Sequence, residues 1–205
     1  MAILFIRHGE TDLNAARVIQ MPETPLSTRG VKQAQRLGKR LRERMSSTPI
    51  GQVLASDYER AHATAQAVER ICAAPLAILP SLRERHYGDL RGESYQDLGI
   101  DPHAHDYEPP NGESWPVFHA RVASAWSEVI DWAARTEGDL AVVTHGLVLR
   151  SLVDRILPPP ADIDPAANVF RNTSVTVVEG PPWSTVLVGC AAHLDGDLLA
   201  DGAAA

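Results

Sequence analysis

Four apolar residues, Ile3-Leu4-Phe5-Ile6, begin almost at the first residue and stop abruptly at Arg7-His8-Gly9-Glu10-Thr11. A short continuous apolar run with two β-branched isoleucines predicts a strand buried on both faces. In a mostly parallel sheet, ligands bind beyond the carboxyl ends of the strands, and Arg7 and His8 emerge at that rim. Gly9 removes the side chain that would crowd a group approaching the imidazole. A guanidinium beside an imidazole, both fixed to a rigid strand end, suits the gripping or attack of an anion such as phosphate.

The same pattern recurs late in the chain. Leu140-Ala141-Val142-Val143 reads as a second buried strand and ends at Thr144-His145-Gly146. A lone histidine is usually structural, but two at equivalent strand ends of one small domain point to one site on one rim. Gly146 leads into a helix whose free N–H groups and dipole favour an anion. Arg60 adds a cation near the start of another helix. Glu84, between Arg83 and Arg85, reads on the surface as a solvated ion pair. In an enclosed site, burial would raise its pKa and fit it for general acid work.

The 205 residues fit one domain of ordinary size. A hydrophobic share of 44% supplies a core, and a net charge of −7 argues against broad binding to nucleic acid or anionic membrane. Any anionic substrate must then be drawn by a local cluster of cations. All but Lys32 and Lys39 of the 19 basic residues are arginine, a bias read here as codon usage. Cys72 and Cys190 form neither a metal-ligand spacing nor a disulfide framework. With no apolar run long enough to span a membrane and no signal-peptide pattern at the N-terminus, the expected location is cytoplasmic.

Between these landmarks, Asp12 to Pro25 reads as a loop. A helix runs from Leu26-Ser27-Thr28 through Met45, with Val31, Ala34, Leu37, Leu41 and Met45 on one face, and Ser46 to Gly51 breaks it. Val53-Leu54-Ala55 is a short strand. Ser56 and Glu59 are spaced as a capping box for a helix burying Ala61, Ala65, Val68 and Cys72, and Leu76 to Leu79 is a third strand. Residues 81–114, rich in Gly, Pro, His, Tyr and acids, predict an insertion covering the active rim, with a short helix at Ser94 to Leu98. A long helix follows from Ser114 to Arg135, its stripe being Trp115, Phe118, Val122, Trp126, Val129 and Trp132. A helix from Leu147 to Leu157, strands at Ser174–Val178 and Thr185–Val188, and a frayed tail from Asp195 complete the reading.

Arg7-His8-Gly9-Glu10-Thr11 with Asn14 resembles the signature of the histidine phosphatase superfamily, which includes the cofactor-dependent phosphoglycerate mutases. Ser56-Asp57-Tyr58-Glu59-Arg60-Ala61-His62-Ala63-Thr64-Ala65 is similar to its second motif. Leu82-x-Glu84 with Gly88, Gly112-Glu113-Ser114, Thr144-His145-Gly146 and Asn172-Thr173-Ser174 follow in the expected order. The resemblance spans residues 3 to about 178 and implies a single α/β domain over 1–205, a three-layer α/β/α sandwich around a mostly parallel sheet. It implies His8 as the nucleophile and Glu84 as proton donor and then activator of water. Arg7, Arg60 and His145 would clamp the phosphoryl oxygens with Asn14 assisting, and Gly146 contributes its helix start. Neighbouring cations should keep His8 neutral, and with that much positive charge neither metal nor other cofactor is required.

The pattern departs from the family where Arg17 sits one place early, Met21 replaces a glycine, and Gly88-Asp89-Leu90-Arg91-Gly92 replaces Gly-x-x-Glu-Gly. Between Gly92 and Trp115 there is no Arg or Lys, while Glu93, Asp97, Asp101, Asp106, Glu108 and Glu113 are acidic. That favours a phosphatase acting on a small phosphorylated metabolite over a mutase, which must hold a second acidic group; Arg83, Arg85 and Arg91 are the residues that would partly substitute. Neither nucleic acid nor membrane is an expected partner, and a homodimer is admissible. Two other classes compete: a low-turnover regulatory module, and a metal hydrolase using His103 and His105 beside Asp101 and Asp106, which read better as solvated loop residues.

Overall fold

The computed structural model describes residues 1–44, 48–161 and 170–199. Its elements are β1 (Ala2–Arg7), α1 (Asp12–Ala15), α2 (Thr28–Arg44), β2 (Ile50–Ala55), α3 (Glu59–Cys72), β3 (Leu76–Ile78), α4 (Trp115–Arg135), β4 (Asp139–Thr144), α5 (Gly146–Arg155), β5 (Val175–Glu179) and β6 (Ser184–Cys190). They form one six-stranded sheet in the order β3-β2-β4-β1-β5-β6. Strands β3, β2, β4 and β1 pair in parallel, whereas β5 runs antiparallel to β1 and to β6.

The period-2 alternation of buried strands divides the core in two. Ile3, Phe5, Leu54, Leu140 and Val142 pack with Phe118, Val122 and Val129 of α4 and Val148, Leu149 and Leu152 of α5. Leu4, Ile6, Val53, Ala55, Ala141 and Val143 pack with Leu37 and Leu41 of α2 and Ala61, Ala65 and Val68 of α3. Helices therefore cover both faces, giving the three-layer α/β/α architecture of the phosphoglycerate mutase-like fold. Among the described residues, no helix is long and apolar enough to cross a membrane.

Register decides where the chemistry goes. Arg7 of β1 lies opposite Thr144 of β4, and Ala55 of β2 opposite Val143. His8, His145 and Ser56 thus leave the sheet together at one rim.

Several local expectations are corrected. Val31 is 44% exposed, because the buried stripe of α2 is centred on Gly30, Gln33, Ala34, Leu37, Gly38 and Leu41. Gln33 belongs to that stripe because its amide accepts from Glu10 N–H and donates to Leu198 O. That second bond also ties down the tail, where Gly196–Leu198 forms a turn of 3₁₀ helix instead of fraying. Met45, Ser46 and residues 200–205 lie outside the described residues. The loop from Asp12 contains α1, started by a capping box between Thr11 and Asn14. Gly51, placed in a break, is within β2.

No helix forms at Ser94–Leu98. The chain from Gly92 to Tyr95 is instead paired to a neighbouring segment, Arg17 O accepting from Tyr95 N–H, Glu93 O from Ile19 N–H, and Ile19 O from Gly92 N–H, and Ser94 O accepts from Asp97 N–H in a turn. Ser56 and Glu59 do not form a capping box either. The N-cap of α3 is Tyr58, without a side-chain bond, and Ser56 Oγ accepts from Tyr58 N–H at 3.2 Å.

Candidate active site

The backbone of Arg7 and His8 is held from three directions. His8 N–H donates to Thr144 O, and Arg7 N–H to Ser174 O. Thr173, at φ +58°, turns its N–H toward the carbonyls of Arg7 and His8, at 3.0 and 3.3 Å. Asn172 Nδ2 adds a bond to His8 O at 3.0 Å. The side chain behind Gly9 is missing for a reason: a Cβ there would lie 2.8 Å from Gly30 O.

His8 is 2% exposed. Its Nδ1 lies 2.7 Å from Gly9 O, and its Nε2 lies 3.3 Å from Arg60 Nε. A carbonyl only accepts and a guanidinium only donates, so the proton is on Nδ1 and the lone pair on Nε2 faces Arg60. Burial, then Arg60, then Arg7 hold the imidazole well below its usual pKa of 6.5. Desolvation is thus the largest single reason His8 is neutral.

The His145 ring stands 5.2 Å from that of His8, tilted by 59°, and 5.4 Å from Tyr58. Its Nε2 lies 2.9 Å from Ser56 Oγ, while Nδ1 is buried with no protein partner. Burial and Arg60 depress its pKa as well. Arg7 donates through Nη1 to Phe170 O at 2.6 Å and keeps a buried, unpartnered Nε. Arg60 Nη1 donates to Met21 O at 3.0 Å, and burial brings its pKa down to about 10. It remains a cation in any ordinary buffer.

Glu84 lines the cavity beside this cluster. One oxygen accepts from Arg85 N–H at 2.9 Å and the other from Leu147 N–H, in the first turn of α5, at 3.1 Å. Removal from bulk water nevertheless outweighs these bonds and the nearby Arg60 and Arg7, raising its pKa above the ordinary 4.5. Asn14 also lines the cavity; its oxygen accepts from Thr11 N–H and Asn172 Nδ2, so the donor it offers is Nδ2. Of the seven residues expected at the site, Arg7, His8, Asn14, Arg60 and Glu84 line a cavity of about 610 Å³. His145 and Gly146 are buried behind that lining, and Leu147 takes their place on the wall.

Other wall residues were not legible as such. Tyr58, Tyr87, Tyr95 and Ile100 line the cavity from segments with no periodicity to flag them. The arginines put forward as substitutes for a mutase cluster differ in fate. Arg83 makes two hydrogen bonds with Asp57. Arg85, 1% exposed, donates to the carbonyls of Glu113, Pro102 and Tyr107 and stacks 3.9 Å over Trp115. Arg91 reaches the cavity with Nη2 2.7 Å from Tyr58 OH. Glu10, inside the first motif, accepts from Ser27 and pairs with Arg29 at 2.8 Å. Among the described residues no cluster of three metal-ligating side chains occurs, and His103 instead meets Tyr87 OH and stacks on Tyr95.

The sequence model of the histidine phosphatase superfamily (branch 1) matches residues 3–192, and the chain belongs to that family. It is 35% identical over 210 residues to phosphoglycerate mutase-like protein 4 of Arabidopsis thaliana, covering 94% of this chain and 86% of the relative. It is also 35% identical over 189 residues to a metal-independent phosphoserine phosphatase of the same plant, covering 86% and 75%. Among solved structures, the alpha-ribazole phosphatase of Shigella flexneri superposes with a TM-score of 0.76 at 26% identity, covering 93% of this chain and 97% of that one.

Proposed function

We propose that this protein is a metal-independent phosphatase that hydrolyses small phosphomonoesters through a phosphohistidine. The observation that carries the reading is the paired setting of His8, with Nδ1–H fixed on Gly9 O and the Nε2 lone pair held beside Arg60. In the first step Nε2 bonds to phosphorus, the bond to the alcohol oxygen breaks, and the protonated Glu84 gives that oxygen its proton. Arg7, Arg60, Asn14 Nδ2 and His145 offset charge on the phosphoryl oxygens, with the Gly146 end of α5 adding its dipole. In the second step the Glu84 carboxylate takes a proton from water, the oxygen attacks phosphorus, and the P–N bond breaks. Inorganic phosphate leaves, with His8 neutral and Glu84 protonated again. In this reading the segment 81–114 is the lid, since Glu84, Tyr95 and Ile100 wall the cavity.

A mutase is the second reading, favoured by Arg17 and Arg91 on the cavity wall and by the names of several relatives, phosphoglycerate mutase-like protein 4 among them. The test is hydrolysis of an aryl phosphate in excess chelator, with a rapid quench during turnover of ³²P-labelled substrate. Persisting turnover with acid-labile label, absent from His8→Ala, supports the proposal. Loss of turnover in chelator, or label that survives His8→Ala, overturns it. Preferential conversion of 3-phosphoglycerate to its 2-isomer, with a bisphosphate primer, replaces it with the mutase reading.

A further inference from the structure

The wall of the cavity carries apolar and aromatic side chains as well as the cluster around His8. A volume of about 610 Å³ falls in the range, about 300–1,000 Å³, that encloses ligands of many more atoms than a phosphorylated three-carbon acid. Its wall includes Leu13, Val18, Ile19 and Ile100, the ring of Tyr95, and the ring of Tyr87 with the Arg85 guanidinium 5.4 Å over it. Ile100 is 44% exposed and follows Gly99, at φ +62° with open space where a Cβ would stand. A large aliphatic side chain left in water at the wall of a concave site gains when a ligand covers it.

The charges point the same way. A compact phosphorylated acid needs a second cation for its carboxylate, and two of the three further arginines on the wall have other work. Arg85 holds three lid carbonyls and Arg91 donates to Tyr58 OH, which leaves the exposed Arg17. Asp101 is on the wall too, its Oδ1 accepting from His103 N–H.

We propose that the preferred substrates are phosphomonoesters of a bulky, largely apolar alcohol bearing a planar ring, the ring lying against Ile100, Val18 and Tyr95. This rests on the phosphatase reading above and narrows its substrate class. The step is the hydrolysis already written, with the ring-bearing alcohol as leaving group.

The test compares 2-(1-naphthyl)ethyl phosphate with ethyl phosphate, phosphoserine and 3-phosphoglycerate. The first two release alcohols of similar acidity, so their ratio of kcat/KM reports contact with the ring. We expect a ratio of about 100 in favour of the naphthyl compound, falling about tenfold in Ile100→Asp. Val186→Asp, on the exposed face of β6, controls for added charge and keeps the ratio. A ratio near one, a ratio unmoved by Ile100→Asp, or preference for phosphoserine or 3-phosphoglycerate overturns the inference while leaving the phosphatase reading intact. No turnover of any of the four, with no label on His8, overturns both.

Discussion

Ser56 Oγ lies 2.9 Å from His145 Nε2, and the same oxygen receives Tyr58 N–H at 3.2 Å. Among the described residues the hydroxyl proton has no other acceptor than Nε2, and donating it there puts the imidazole proton on Nδ1, the buried atom with no protein partner. The alternative tautomer strands the hydroxyl proton as well as the Nδ1 lone pair. Ser56→Ala should therefore let His145 sample both tautomers and lower kcat by about tenfold, in line with about 1–3 kcal/mol for unpaired buried groups. Imidazole ¹⁵N spectra give the check: Nδ1–H in the wild type, a mixture in Ser56→Ala, and the wild-type pattern restored in Ser56→Thr.

In the proposed mechanism Glu84 and His8 set opposite limbs of the pH profile. His8 attacks as the free base, and its pKa is depressed, so the acid limb lies below 6.5. Glu84 donates as the acid, and its pKa is raised, so the basic limb lies above 4.5. Glu84→Gln should remove the basic limb and cost about 10²–10⁴-fold in kcat with alkyl phosphates. In kcat/KM, which reports the first step alone, the loss should be smaller with nitrophenyl phosphate, whose leaving group departs without a proton.

Stability should also fall in acid. His8 and His145 are depressed by burial, and His193, beside Arg40, is depressed to about 4. Below 6.5 the unfolded chain binds protons that these folded imidazoles refuse, so ΔG of unfolding declines as pH drops. Glu84 acts with the opposite sign, because its folded form holds a proton longer. His86, His103 and His119 are lowered as well, chiefly by burial; with six imidazoles against one carboxyl, Tm should drop between pH 7 and pH 5, and less so in His193→Gln.

Gly30 presses the first turns of α2 against the loop that carries His8. A Cβ there would stand 2.0 Å from Glu10 O, and a backbone carbonyl cannot yield as a flexible side chain does. Gly30→Ala should lower Tm by several degrees, about 1–3 kcal/mol, and reduce kcat/KM at once. Gly92→Ala, with φ +90° but nothing within 4 Å, should strain its own turn and lower Tm without moving His8; equal losses of kcat/KM in the two variants would refute the assignment.

What was readable in the chain followed from regularity. The apolar runs before His8 and His145 could only be buried strands, and parallel pairing then put both rings on one rim. Position along an aperiodic segment carried no such information. Tyr95 reached the wall because Arg17 captured its own N–H while Ile19 paired with Gly92 and Glu93, a tertiary pairing without a sequence period. Ser56 was legible as a cap and is a partner of His145, since a hydroxyl at a strand end serves either purpose. Arg85 resembled a site cation, yet carbonyls claim it, and carbonyls are the same at every residue.

Specificity can change in this protein without rebuilding the segment that covers the site. Arg85 gathers Pro102, Tyr107 and Glu113 by their main-chain oxygens, so replacing side chains around the mouth need not disturb the grip. A non-titrating charge, pinned over Trp115, acts as a hub to which the covering segment is fastened. The rim can thus be redecorated for a new alcohol while its path, and the spacing of Glu84 from His8, stay where they are.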